Sequence, residues 1–351
     1  MGGSGLTRRR FLAGAAGVTA GGLLASCGGA SAPATAAPTA AATAAVAKTS
    51  GPPKVSAQTK AAVSHLKALI STAPWAVGDA KGYFKDVGLT QELTEFTGGG
   101  DTVRGLLQAG NNYALTTPSA TALAFNQGQP IRIIGGGFGG TTIVFVSKKA
   151  GGAKDVKELA GKKIGYSAAG SATEFVIKRT LKDAGITTAN LVATGGVGES
   201  LTALRNNVVD VAWTPYPQPQ RFPDEFQIVF VAAKTVPNFA EFIISTTADY
   251  ADKNPEVLRA FLYAFGQSMD FIRASPDEAG AIWAKVVNYP PAQVAAAMKE
   301  IPTDAWSIKI APQMLKVIED SMIEFKQVPG PIDWKKLVIQ DFLPADQRTT
   351  I

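Results

Sequence analysis

One cysteine and one histidine, Cys27 and His65, occur in 351 residues. A disulfide within the chain is thereby excluded, and neither tetrahedral zinc ligation nor a Ser/His/Asp triad has the residues it needs. Charge is sparse too. Three of the six net positive charges sit at Arg8, Arg9 and Arg10, which leaves +3 for the rest of the chain. With no dense Lys/Arg stripe interleaved with aromatics, that balance argues against nucleic acid as a partner. Beyond Cys27 no apolar run is long enough to span a bilayer. The glycine run GGGFGG at 135–140 lacks the Lys-Ser/Thr that completes a phosphate loop. No metal or cofactor is expected.

What is present begins with TRRRFLAGAAGVTAGGLLASC. A positive head precedes a short Gly/Ala-rich apolar run, Phe11 to Ala25, too short and too glycine-rich for a membrane span. Thr7 to Leu12 resembles a twin-arginine export signal, and Leu24 to Cys27 resembles a lipobox, in which the cysteine carries lipid and becomes the mature N-terminus. Residues 1–27 are therefore expected to be a signal with Cys27 as the lipidation site. Two or more acyl chains, at about 0.8 kcal/mol per buried methylene, make a stable anchor. Residues 28–60, rich in Ala, Pro and Thr, cannot bury enough surface to offset the entropy of folding and read as a disordered tether. Roughly 30 such residues reach about 30 Å on average.

The body carries an internal repeat at an offset of 97 residues. Lys85-Asp86 and Gly88 fall on Lys182-Asp183 and Gly185, Gly98-Gly99 on Gly195-Gly196, Leu107 on Leu204, and Thr117-Pro118 on Thr214-Pro215. Two copies imply a duplicated lobe rather than a solenoid. In the second copy KKIGYS reads as a strand. Ser171 then opens a helix with Glu174 three residues on, and Gly185 stops it. NLVAT, a helix over ESLTALRN and the strand VVDVAWT follow. The first copy reads as a strand LKALIS opened by His65, a helix from Pro74 to Lys81, a strand ELTEFT, a helix around Val103 to Gln108 and a strand YALTT. Strands alternating with helices predict a mostly parallel sheet in each lobe, with ligands held beyond the strand carboxyl ends.

Helix starts are the first candidates for chemistry. Thr117 before Pro118 is an N-cap pattern, and Thr72 with Pro74 is a second. The glycines at 98–100 and 195–196 let backbone amides approach a ligand, or serve only tight turns. Several helix N-termini aimed at one cleft favour anionic or strongly accepting groups. Trp75, Trp213, Tyr216, Phe138 and Phe239 are placed to clamp a flat ligand, although core packing accounts for such aromatics as well. Arg104 and Arg205 offer neutralisation of an anion or a solvated helix face.

PWAVGDAKGYFKDVGL, GGGDTVRGLLQAG, VKELAGKKIGYSAAGSATEFVIKRTLKDAGI and LTALRNNVVDVAWTPYP resemble the nitrate/sulfonate/taurine and thiamine-pyrimidine class of ABC-importer solute-binding proteins. NPEVLRAFLYAFGQSMDFIRASPDEA matches that family's C-terminal helices, so the resemblance covers about residues 62 to 290. It implies a two-lobed type II periplasmic-binding-protein fold of α/β class. Lobe 1 would comprise 61–145 plus 236–351 and lobe 2 would comprise 146–235, with the ligand cleft between them. It also implies a ligand-binding set of Thr72, Trp75, Gly98, Gly99, Thr117, Ser119, Thr141, Thr142, Ser167, Gly170, Ser171, Trp213, Thr214 and Tyr216. The implied partners are a small-molecule solute, an ABC permease with its cytoplasmic ATPase, and the membrane through lipid on Cys27. The protein would be a monomer on the outer face of the cytoplasmic membrane, and not an enzyme. An enzyme on the same fold, of pyrimidine or menaquinone-pathway type, and a sensing subunit for a membrane kinase are the alternatives.

Two departures stand out. Thr214 occupies a position where the family often has an acid, and Asn112-Tyr113 lie where it has an aspartate. Loss of a carboxylate beside the cleft favours an anionic or neutral ligand over a cationic one.

Overall fold

Small and β-branched residues set the first strand. Ala61, Ala62 and Val63 are fully buried, and Thr59 with them, in a strand bordered on both sides by other strands. The computed structural model describes residues 52–64 and 69–351. The signal, Cys27, His65 and the tether as far as Gly51 lie outside the described residues.

The elements run β1 (Ala57–Ser64), α1 (Ala73–Lys81), α2 (Tyr83–Asp86), β2 (Leu89–Phe96), α3 (Gly99–Gln108), β3 (Tyr113–Thr116), α4 (Pro118–Asn126), β4 (Ile131–Phe138) and β5 (Ile143–Lys148). There follow β6 (Lys163–Tyr166), α5 (Ala172–Asp183), β7 (Asn190–Ala193), α6 (Val197–Arg205), β8 (Val211–Pro215), β9 (Phe226–Val231), α7 (Ala232–Thr235) and β10 (Phe242–Thr247). The C-terminal third is helical: α8 (Ala248–Lys253), α9 (Pro255–Ala274), α10 (Pro276–Val287), α11 (Pro291–Lys299), α12 (Pro312–Glu324) and α13 (Trp334–Leu337).

Two five-stranded sheets result, in the orders β2-β1-β3-β10-β4 and β7-β6-β8-β5-β9. In each, the first three strands of the order pair in parallel, and the fourth pairs antiparallel with both of its neighbours. Four strands thus run one way and one runs back. The reversed strands are β10 and β5, the two that receive the chain from the other sheet. The crossing segments are 139–142 and 236–241. Central strands read as unbroken apolar runs because both faces are covered: every residue of β3 and of β8 is buried.

The 97-residue offset is visible in the elements. It carries Gln108, the last residue of α3, onto Arg205, the last of α6. Gly88 and Gly185, both left-handed at φ 78° and 68°, precede β2 and β7. The copies part after the third strand. Thr117 caps α4 by accepting from the Ala120 amide at 3.3 Å, whereas Thr214 and Pro215 finish β8 and lead into a one-turn 3-10 helix, Gln218–Arg221.

Two expectations need correction. The first strand is not LKALIS: Ile70–Thr72 is a 3-10 turn, and β1 starts at Ala57, inside the stretch assigned to the tether. Its pairing explains this, since Ala57 to Ser64 lie in register with Leu89 to Phe96 and so gain a ladder that composition alone does not announce. Sheet two likewise takes up the chain at Ile143, ahead of residue 146. A chain beginning at residue 52 should therefore unfold cooperatively. One beginning at residue 61, which lacks half of β1, should lose that transition or melt far lower, as followed by circular dichroism.

The outer edge of β4 is covered by C-terminal chain. Gly136 and Gly139 donate to the carbonyls of Ile308 and Ala305 at 2.7 and 2.8 Å, and Ile339 donates to that of Ile133 at 2.9 Å. This explains the glycine run. A Cβ on Gly136 would lie 2.0 Å from the Lys309 carbonyl oxygen, so only glycine lets the strap lie flat on the strand.

Candidate functional site

The parallel strands point their carboxyl ends at one hollow. Sheet one contributes Val63 from β1, Leu115 from β3 and Phe242 at the start of β10, with Leu69, Thr72, Gly98, Gly99 and Thr117 from the adjoining turns and helix starts. Sheet two contributes Ile143 at the start of β5, Trp213 from β8, and Ser167, Ser171, Ala172 and Thr173 around the start of α5. Glu241, the last residue of the second crossing, completes the wall.

The helix starts are locally determined. Ser171 caps α5, accepting from the Glu174 amide at 3.2 Å, while the Glu174 carboxylate accepts from the Gly170 amide at 2.6 Å. The capping box is thus closed one residue earlier than its usual partner. Thr173 Oγ1 accepts from the Ser167 amide at 2.8 Å and shares hydrogen bonds with the hydroxyls of Ser167 and Ser171, both 2.9 Å away. Across the hollow, a Cβ on Gly99 would meet Thr117 Oγ1 at 2.5 Å, so glycine brings the start of α3 against that of α4. Thr72 departs from its expected role. It makes no capping bond; its hydroxyl donates to the Leu69 carbonyl at 2.6 Å and receives the Trp283 indole N–H at 3.3 Å.

Of the residues named from sequence, Thr72, Gly98, Gly99, Thr117, Ser167, Ser171 and Trp213 are brought together in the wall. The remaining seven are not in it. Trp75 turns into an aromatic cluster with Phe265, Phe261, Phe84 and Tyr113, at ring separations of 5.0, 5.5, 5.6 and 6.4 Å. Tyr216 is buried behind the hollow, its amide bonded to the Thr142 carbonyl at 2.9 Å, and burial aided by the charge of Glu300 pushes its hydroxyl up to about 12. Thr214 is buried in β8, and Ser119 and Gly170 sit one step removed along α4 and the α5 loop. Phe138 and Phe239 are core residues against Trp306 and Phe175. Arg104 and Arg205 pair with Asp101 and Glu225 on exposed faces.

Thr141 and Thr142 form the first crossing and face Glu241 instead. The Glu241 carboxylate accepts from Ser71 Oγ at 2.5 Å, the Thr142 amide at 2.5 Å, Thr142 Oγ1 at 2.9 Å and Thr141 Oγ1 at 3.2 Å. Its own amide donates to the carbonyls of Phe138 and Gly140 at 3.1 and 2.9 Å. Glu241 therefore ties the two crossings together and both of them to the turn before α1. Burial pushes its pKa up, and the four donors act against that shift. The expectation that the cleft lacks a carboxylate is corrected: one is present, supplied by a crossing segment rather than by the end of β8. A signal existed in the sequence, because Glu241 stands alone between apolar Phe239-Ala240 and Phe242-Ile243. Val63, Leu69, Leu115, Ile143 and Phe242 were missed as well, and nothing but tertiary structure separates them from core.

Among the described residues no group of three His, Cys, Asp or Glu side chains is placed to hold a metal, and no helix is long and apolar enough to cross a membrane.

Solved structures share this architecture. The periplasmic aliphatic sulphonate binding protein SsuA from Escherichia coli is 15% identical and superposes at a TM-score of 0.66, over 81% of this chain and 92% of that one. The periplasmic nitrate-binding protein NrtA from Synechocystis PCC 6803 is 14% identical at a TM-score of 0.67, over 83% and 91%. The alkanesulfonate-binding protein SsuA from Xanthomonas axonopodis pv. citri, bound to MOPS, is 13% identical at 0.69, over 81% and 98%. At such identities the likeness is one of fold, the periplasmic-binding-protein fold. No curated protein matches the chain in sequence. The sequence profile described as NMT1/THI5 like matches residues 70–279, more than half of the chain. The chain belongs to the NMT1/THI5-like family.

Proposed function

We propose that this protein is the extracytoplasmic solute-binding subunit of an ABC importer. It captures a small solute between two lobes, 143–235 and the remainder of the folded body, and delivers it to a membrane permease. The observation that carries the reading is the hollow itself, walled by the strand ends of two sheets of like order between which the chain, over its described residues, crosses twice. Such a pair of connections lets the lobes rotate about a hinge and close on a ligand. Closure excludes water from the solute's polar contacts, which strengthens each of them. Micromolar capture needs about 8 kcal/mol, which apolar burial against Trp213 and Phe242 and direct hydrogen bonds to hydroxyls and helix-start amides together supply.

The wall's chemistry suits holding better than turnover. Among its described residues the one titratable side chain is Glu241, already engaged by four protein donors. Export by the twin-arginine signal and lipid on Cys27 would place a monomeric body outside the cytoplasmic membrane, on a tether that ends before Ala57. The reading is tested by purifying the chain from its native host and recording its mass under non-denaturing conditions. One small molecule per chain, released chemically unchanged on unfolding, is the expected result. A bound molecule converted to a different product during incubation would make the protein an enzyme and end this proposal.

A further inference from the structure

Asn288 ends α10 in the left-handed conformation, at φ 55°, and turns the chain out of the helix. The next residue is Tyr289. Its amide donates back to the Ala284 carbonyl at 3.0 Å, its ring meets Trp283 edge-on at 5.9 Å, and Pro290 and Pro291 stiffen the chain beyond it. Tyr289 is thereby fixed to the lobe of the first sheet, since α10 packs on α1 and α9. The other lobe holds it too. Gln218 donates from Nε2 to the Tyr289 hydroxyl, and the Arg221 guanidinium lies over the Tyr289 ring, 4.6 Å from its centre. Both grips come from one turn of 3-10 helix, in which residues three apart fall on the same edge. Glu300, at the end of α11, is close enough to Tyr216 for its charge to act on that hydroxyl. The contact also reaches the hollow. Trp283 donates to Thr72 of the wall at 3.3 Å, and Gln218 follows closely on β8, which carries Trp213 into the wall.

We infer that Gln218, Arg221 and Tyr289 form a latch between the lobes, which stabilises the closed form before any solute is bound. The inference rests on the lobe-closure part of the reading above. None of the three residues is in the wall, so the latch acts through the balance of open and closed forms rather than by touching a solute. A solute that binds only the closed form gains apparent affinity in proportion to the fraction already closed. One cation–π contact and one hydrogen bond together change the ratio of closed to open by at least about fivefold.

The test needs no solute. Gly100→Cys and Ala169→Cys place a spin label on each rim of the hollow, in a full chain whose own thiol is removed by Cys27→Ser. The protein is unfolded, dialysed free of small molecules and refolded before the distances are measured. This parent should show a short-distance population. With Gln218→Ala and Arg221→Ala together, the ratio of short to long distances should fall by about fivefold or more. Tyr289→Phe, which keeps the ring and loses the hydroxyl, should give a smaller fall in the same direction. A parent with no short population, or a double variant with the parent's ratio, overturns the latch. Either result leaves the solute-binding reading standing, because that reading is decided by the mass of what the native protein carries. Gln218 is half-buried and Arg221 exposed, so both can be replaced at little cost to the fold. Should the double variant fail to unfold cooperatively, Tyr289→Phe alone decides.

Discussion

Replacing Glu241 with alanine should lower the melting temperature of the folded body by about 5 °C. The carboxylate is the acceptor for four buried donors, from Ser71, Thr141 and Thr142. The hydroxyls can rotate toward other acceptors, but the Thr142 amide is fixed by the backbone and would be left unpaired. A stranded buried donor costs roughly 1–3 kcal/mol, and the new cavity adds to it. About 3 kcal/mol over a body of this length corresponds to about 5 °C. Glu241→Gln retains an acceptor and should cost less, and the comparison with wild type carries a signed pH dependence. Because the folded-state pKa of Glu241 is raised, the native state holds a proton that the unfolded state releases near pH 4.5. The wild type's advantage over the glutamine variant should thus be greatest below that pH and shrink as pH rises above it. Melting curves of both proteins from pH 4 to 8 check the sign; a gap that widens with pH would contradict it.

Gly136→Ala should be more damaging still. The added carbon would lie 2.0 Å from the Lys309 carbonyl oxygen and 2.7 Å from that of Ser307, which are backbone atoms that cannot swing away as a side chain can. The strap has to lift, and with it go the hydrogen bond from Gly136 to Ile308 and the packing of Ile308 against α9. A loss of about 3 kcal/mol or more follows from overpacking combined with a broken buried hydrogen bond. Gly198→Ala is the control. Gly198 lies in α6 with open space around it, and alanine there should leave stability the same or raise it by less than about 1 kcal/mol. Urea unfolding of the three proteins gives the comparison; equal midpoints for Gly136→Ala and wild type would show that the strap does not depend on close contact.

How much of this was legible in the sequence depended on how local the determining physics was. The Ser171-x-x-Glu174 start of α5, the Thr117-Pro118 start of α4 and the stop at Gly185 are each fixed within a few residues, and each is found where the sequence puts it. The duplicated βα pattern survived as well, since Gly88 and Gly185 meet the same left-handed demand in both copies. β1 was misplaced because its identity comes from pairing with β2 and β3, and AQTKAAVS carries too few large apolar residues to outrank LKALIS. The site was half legible. Glycines and hydroxyls at helix starts gave themselves away. Trp75 and Trp213, alike as aromatics beside strand ends, parted company only when α9 supplied Phe261 and Phe265 as partners for the first. Glu241 could not be placed because its donors lie 99 to 170 residues away in sequence.

The central claim is that the two lobes close on a solute, and a distance measured across the hollow tests it most directly. Cysteines introduced at Gly100 and Ala169, both exposed and on opposite rims, can be spin-labelled in a chain beginning at residue 52, which lacks the native thiol. Saturation with the solute recovered from the native protein should shorten and narrow the distribution of distances between the labels. An identical distribution with and without bound solute would contradict the claim and leave a rigid body with an incidental hollow.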